Sequence, residues 1–150
     1  MAEHIEMATG TKVTTHNKYL EGTEKLGRVV FLGVDTMEHR KKIFEDSLKN
    51  KFVTELVIEV RMGVEELRVY GFNPNSRHEI NDWMETLVDD EQTVESACSA
   101  KTTVGATASL TAAFAVTRFM QWFNWLNSND GVEPNFEQLV MLRPLFTLAR

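Results

Sequence analysis

Hydrophobic and polar positions follow two periods along this chain, and the switch between them predicts its elements. Val29-Val30-Phe31-Leu32 is a short apolar run rich in β-branched residues, which reads as a strand buried on both faces. After the Gly33-Val34 turn the period lengthens. Met37, Ile43, Phe44 and Leu48 fall near one face of a helix over 36–49, with Arg40, Lys41 and Lys42 outside. Glu55–Val60 is a second buried strand, and Glu65–Phe72 alternates Leu67, Val69 and Gly71 on one side. The short Gly63-Val64 connection makes these two strands neighbours. Asn73-Pro74-Asn75-Ser76 is a turn that caps a helix over 78–88. A long helical pattern spans 102–127, and 138–148 resembles one or two terminal strands interrupted at Pro144, which suits an edge or a bulge. Weaker signals are a helix over 2–8 stopped at Gly10, a strand at 12–15 around Val13, and a connection over 19–27. Strands interleaved with helices make the fold class α/β.

Composition narrows the picture. The 150 residues are expected to form one domain, long enough to bury roughly 70% of the unfolded surface. A net charge of −6 argues against a nucleic-acid groove or an anionic membrane as partner. Residues 102–117 carry no charge, but a membrane span needs about 20 such residues, and Arg118, Gln121 and Asn124 end the run early. The segment instead reads as a central helix buried against a sheet or a second subunit, with Phe119, Trp122, Phe123 and Trp125 as core or interface aromatics. Cys98 is the single cysteine, which rules out an internal disulfide, and the four histidines are scattered without zinc-site spacing. Glu3 and Glu6 interrupt any apolar leader, so the expected compartment is the cytoplasm.

The candidate chemistry centres on Asp35. A carboxylate just past the C-terminal end of a strand lies where ligands bind in an open α/β sheet. The same residue also reads as a helix N-cap, with Glu38 completing a capping box, and the two roles are compatible.

In their order, these parts resemble the ThiF/MoeB/HesA family, bacterial relatives of the ubiquitin-activating enzymes. The family's strand ending in Thr-Asp-Asn-x-x-x-Arg is similar to Val34-Asp35-Thr36 through Arg40, and its Cys-x-x-Ala-Gly-Val crossover is similar to the segment from Cys98 onward. The resemblance spans residues 12–126. It implies a partial Rossmann-like sheet with flanking helices, a homodimer, and Mg-ATP-dependent adenylation of the C-terminal glycine of a ubiquitin-like or sulfur-carrier protein. It also implies that Asp35 holds Mg²⁺ and phosphates, a role suited to a hard oxygen ligand. Arg40 would anchor the turn, and Cys98 is the candidate acyl acceptor, its thiolate favoured by the following helix N-terminus and Lys101.

One departure outweighs these matches. The family's ATP site opens on a Gly-rich turn that brings backbone amides to phosphate. The eight glycines here, at 10, 22, 27, 33, 63, 71, 105 and 131, are nowhere spaced to make it. The expectation is therefore a chain lacking the N-terminal nucleotide-binding half: a split subunit, a degenerate relative or a truncated reading frame. Such a chain does not adenylate anything alone and requires a nucleotide-binding partner chain. The competing expectation is a non-catalytic interaction and dimerisation module of the same origin. A third is an unrelated α/β protein in which the Asp35 turn is a coincidence.

Overall fold

A computed structural model describes residues 2–88, 105–128 and 132–150. In chain order the elements are α1 (Ala2–Thr9), β1 (Val29–Leu32), α2 (Met37–Ile43), β2 (Leu56–Met62), β3 (Glu66–Phe72), α3 (Arg77–Glu85), α4 (Gly105–Asn127), β4 (Glu137–Leu142) and β5 (Leu145–Ala149). The strands form one mixed sheet in the order β1-β2-β3-β4-β5, in which β1 and β2 run parallel and every other pair is antiparallel. The α/β class expected from the pattern is what the chain adopts. Among the described residues, no helix is long and apolar enough to cross a membrane.

The alternation in β2 and β3 sorts their side chains between two apolar layers. Val57, Tyr70 and Phe72 join Phe44, Leu48 and Trp83 on the face covered by α2 and α3. Leu56, Ile58, Leu67 and Val69 join Ala115, Trp122 and Val140 on the face covered by α4. Helices on both faces of the sheet thus bury its central strands from each side.

Several local expectations are corrected. β1 is not buried on both faces: Val29 and Val30 are half-buried and Phe31 is exposed. The reason is position, because β1 is an edge strand and α4 lies over β2 and β3. The helix expected over 36–49 is α-helical only to Ile43, then winds into a π-helical turn over Phe44–Leu48. That wider turn buries Phe44, Ser47 and Leu48 together. Residues 12–15 form no strand, and Val13 remains exposed. Pro144 sits in the two-residue turn between β4 and β5, outside both strands. The acidic segment from Asp89 to Cys98 lies outside the described residues.

Candidate functional site

A broad cleft of about 1290 Å³ opens at the carboxyl ends of β1 and β2. Gly33, Val34 and Asp35 form one wall, Val60, Arg61, Met62 and Gly63 another, and Ala108, Thr111 and Ala112 of α4 a third. Ligands in open α/β sheets bind outside the carboxyl ends of the strands, and this cleft occupies that position.

Asp35 stands at its lip. The carboxylate is 62% exposed and lies 3.7 Å from Nδ1 of His39, one helical turn on. It is not the helix cap. Thr36 takes that role with extended backbone, its hydroxyl accepting from the His39 amide at 3.2 Å. The cap therefore falls one residue later than Asp35, and the Asp35–Glu38 capping box is not formed. Asp35 lines the cleft and does not cap α2.

Arg40 is buried rather than outside. From α2 its guanidinium reaches back to donate to the carbonyl of Val34, to the carbonyl of Val60 at 2.9 Å, and to Oε1 of Glu59. Two of those acceptors are the chain just after β1 and the body of β2. The side chain therefore fixes the turn that carries Asp35 against the neighbouring strand.

Glu59 is the centre of this arrangement, and sequence reasoning passed over it. Fully buried on β2, it accepts from Arg40, from Arg61 through Nε at 3.0 and 3.1 Å, and from Trp83 Nε1 at 3.1 Å. Arg61 continues the network to the carbonyl of Thr86 at 2.7 Å and to its hydroxyl at 2.8 Å. The same guanidinium lies 4.4 Å from the centre of the Tyr70 ring, close enough for a cation–π contact. A buried carboxylate is tolerable when its lone pairs are filled by such charged donors. One side chain thus ties α2, β2, α3 and the chain leaving α3 to the floor of the cleft. The signal was present: a Glu at the i position and an Arg at i+2 share one face of a strand that is otherwise apolar.

Glu137 forms a second buried hub. It accepts from the Tyr70 hydroxyl at 2.9 Å, from Arg68 Nη1 at 3.3 Å and from Arg150 Nε. Arg68 lines the cleft as well, so both hubs border it.

The structure thus brings Asp35 and Arg40 together at one cleft, and Cys98 lies outside the described residues. Among the described residues no group of three or more His, Cys, Asp or Glu side chains is arranged to hold a metal ion. The chemistry that the described arrangement provides is positioning: a carboxylate at the mouth, on a turn locked from beneath by a buried ionic network. No family model, no curated protein and no solved structure matches the chain.

Proposed function

We propose that the chain is an incomplete or split ThiF-type unit, related to ATP-dependent adenylation of the C-terminus of a ubiquitin-like or sulfur-carrier protein and inactive alone. The observation that carries this reading is the Asp35 turn: a carboxylate at the carboxyl end of β1, free of capping duty, opening on the cleft and held by Arg40. The place of β1 at the edge of the sheet among the described residues adds support, since a strand from a nucleotide-binding partner would complete the sheet there.

Mg-ATP does not fit the described residues by themselves. Asp35 is one exposed carboxylate without a companion ligand set, and the residues before β1 form no strand–Gly-turn–helix that would present amides to phosphate. No reaction step is therefore assigned to this chain alone.

Calorimetric titration with Mg-ATP tests the reading. The chain alone should show no binding. Addition of the nucleotide-binding half of a ThiF-type protein should restore binding, and Asp35→Ala should remove it again. Binding by the isolated chain that survives Asp35→Ala would refute the assignment.

The second reading is a non-catalytic interaction module of the same origin. It is favoured by the uncharged outer surface of α4, and it predicts that Asp35→Ala changes no binding property of the chain.

A further inference from the structure

β5 stands at the opposite edge of the sheet from the Asp35 turn, and all five of its residues are exposed. Its pairing with β4 shows which way its backbone faces. Glu137 and Arg150 exchange both backbone hydrogen bonds, at 2.8 and 3.0 Å, while Leu142 donates its N–H away from β5, to Glu65 at 2.8 Å. Antiparallel ladders alternate between hydrogen-bonded and non-hydrogen-bonded pairs. Phe146 and Leu148 therefore bond to β4, and the N–H and C=O groups of Leu145, Thr147 and Ala149 point out from the sheet. Among the described residues no strand lies beyond them.

Edge strands usually discourage further pairing with a charge, a proline, a bulge or a covering element. Leu145–Ala149 has no charge and no proline, and its pairing with β4 runs without a bulge. Its larger side chains are apolar, Leu145 being 77%, Phe146 49% and Leu148 45% exposed. Charge sits only at its two ends. Arg143, 84% exposed, precedes the strand with Glu65 as a loose neighbour at 3.8 Å. Arg150 follows it, exposed, with Nε engaged on Glu137 and no hydrogen bond to its Nη groups among the described residues. In a chain of net charge −6, residues 143–150 thus carry two arginines and no acidic side chain.

We infer that β5 is a docking edge for an extended segment of another protein, apolar at alternate positions and acidic at both ends. Strand addition draws affinity from main-chain hydrogen bonds and specificity from alternate side chains. Phe146, Leu148 and Arg150 share one face of the sheet. On that face the incoming strand sets apolar residues beside the first two and an acid beside the third. An acid at its other end meets Arg143. Because both ends are cationic, charge complementarity asks for the same pattern whichever way the strand runs. A second copy of the chain is a poor occupant. Antiparallel pairing of two β5 strands about Thr147 sets the Arg143 end of each beside the Arg150 end of the other, cation against cation. The inference stands on β5 and not on the adenylation reading.

Calorimetric titration of the full chain with the peptide acetyl-Asp-Thr-Val-Thr-Ile-Thr-Glu-amide, without nucleotide, tests it and leaves the nucleotide question untouched. This peptide should bind saturably, one per chain. The same peptide with Lys at both ends should bind about tenfold or more weakly, having two charge pairs reversed. Thr147→Pro removes an outward N–H that takes no part in the pairing with β4, a position where an edge strand accepts proline. It should weaken binding about tenfold or more, with an unchanged circular dichroism spectrum. Arg143→Glu, on the exposed turn, should weaken it about threefold to tenfold and does not depend on the strand tolerating proline. An acidic peptide that does not bind overturns the inference. So does one that binds no better than its Lys-ended counterpart, or one whose binding Thr147→Pro or Arg143→Glu leaves intact. Self-association of the free chain that Thr147→Pro abolishes would give the edge to a second copy and overturn it equally.

Discussion

The guanidinium of Arg118 lies against Gly71, donating Nη2 to the Gly71 carbonyl at 3.1 Å where α4 crosses β3. Its Nε and Nη1 are buried without a hydrogen-bond partner among the described residues. Burial pushes the group's pKa down to about 10, and the carboxylates of Glu79 and Glu133 pull only weakly the other way. A Cβ at Gly71 would run into the guanidinium, so glycine at this position is the room Arg118 occupies. Gly71→Ala should therefore cost about 1–3 kcal/mol, the usual range for overpacking. In an Arg118→Ala background the same change should cost under about 1 kcal/mol, because the clash is gone. Urea unfolding of the four proteins gives the coupling, and additive costs would show that the two residues do not share this space.

The buried Glu59 cluster makes a different prediction. Glu59→Gln keeps the shape but leaves Arg40 and Arg61 with a neutral partner in a fully buried site. Breaking a buried ion pair in this way costs about 3–5 kcal/mol. The loss should be accompanied by faster amide exchange at two places distant in sequence, the turn after Val34 and the chain near Thr86, because both hang from this carboxylate through Arg40 and Arg61. Exchange that rises uniformly over the sheet would mean that Glu59 supports global stability and no particular arrangement of the cleft.

Much of this architecture was legible. The hairpin of β2 and β3, the Ser76 cap of α3 and the extent of α4 follow from strong period, turn residues and length. What periodicity could not show was where charge goes. Arg40 read as outside and the carboxylates of Glu59 and Glu137 drew no reading, yet each is buried, because its partners include residues 13 to 69 positions away in sequence. The strand expected around Val13 had one apolar residue and gained no neighbour to pair with. At the Asp35 turn the cap was placed one residue early, since Asp and Thr are both good N-caps and only backbone geometry separates them.

That displaced cap can be measured. Thr36→Ala removes the hydroxyl that accepts from the His39 amide and should cost about 1 kcal/mol. Asp35→Ala touches an exposed carboxylate that caps nothing and should stay within about 0.5 kcal/mol of wild type. Thermal unfolding of the two variants at one pH decides between the positions. A larger loss at Asp35 than at Thr36 would restore Asp35 as the cap and weaken its assignment to the cleft.

Alkaline pH should act through Tyr70. Burial lifts its phenol pKa above the ordinary tyrosine value, while the nearby Arg61 works in the opposite direction. A raised folded-state pKa means that the contribution is fully present below about 10, the unfolded value. Above that pH the unfolded chain releases the Tyr70 proton and the folded chain retains it, so stability falls as pH climbs. Arg118 has the opposite sign: its charged form is disfavoured in the fold, and the penalty eases as pH rises from about 10 toward its ordinary range. Comparing wild type with Tyr70→Phe cancels Arg118 and every other common group. The variant should be less stable at neutral pH by about 1 kcal/mol or slightly more, having lost the hydrogen bond to the Glu137 carboxylate. The gap should then narrow as pH climbs above about 10, as wild type loses the Tyr70 contribution and the variant has none to lose. Urea unfolding across that range reads the difference directly. A gap that stays constant would mean that Tyr70 ionises alike in the folded and unfolded chain, and that its burial beside Glu137 and Arg61 has no bearing on its proton.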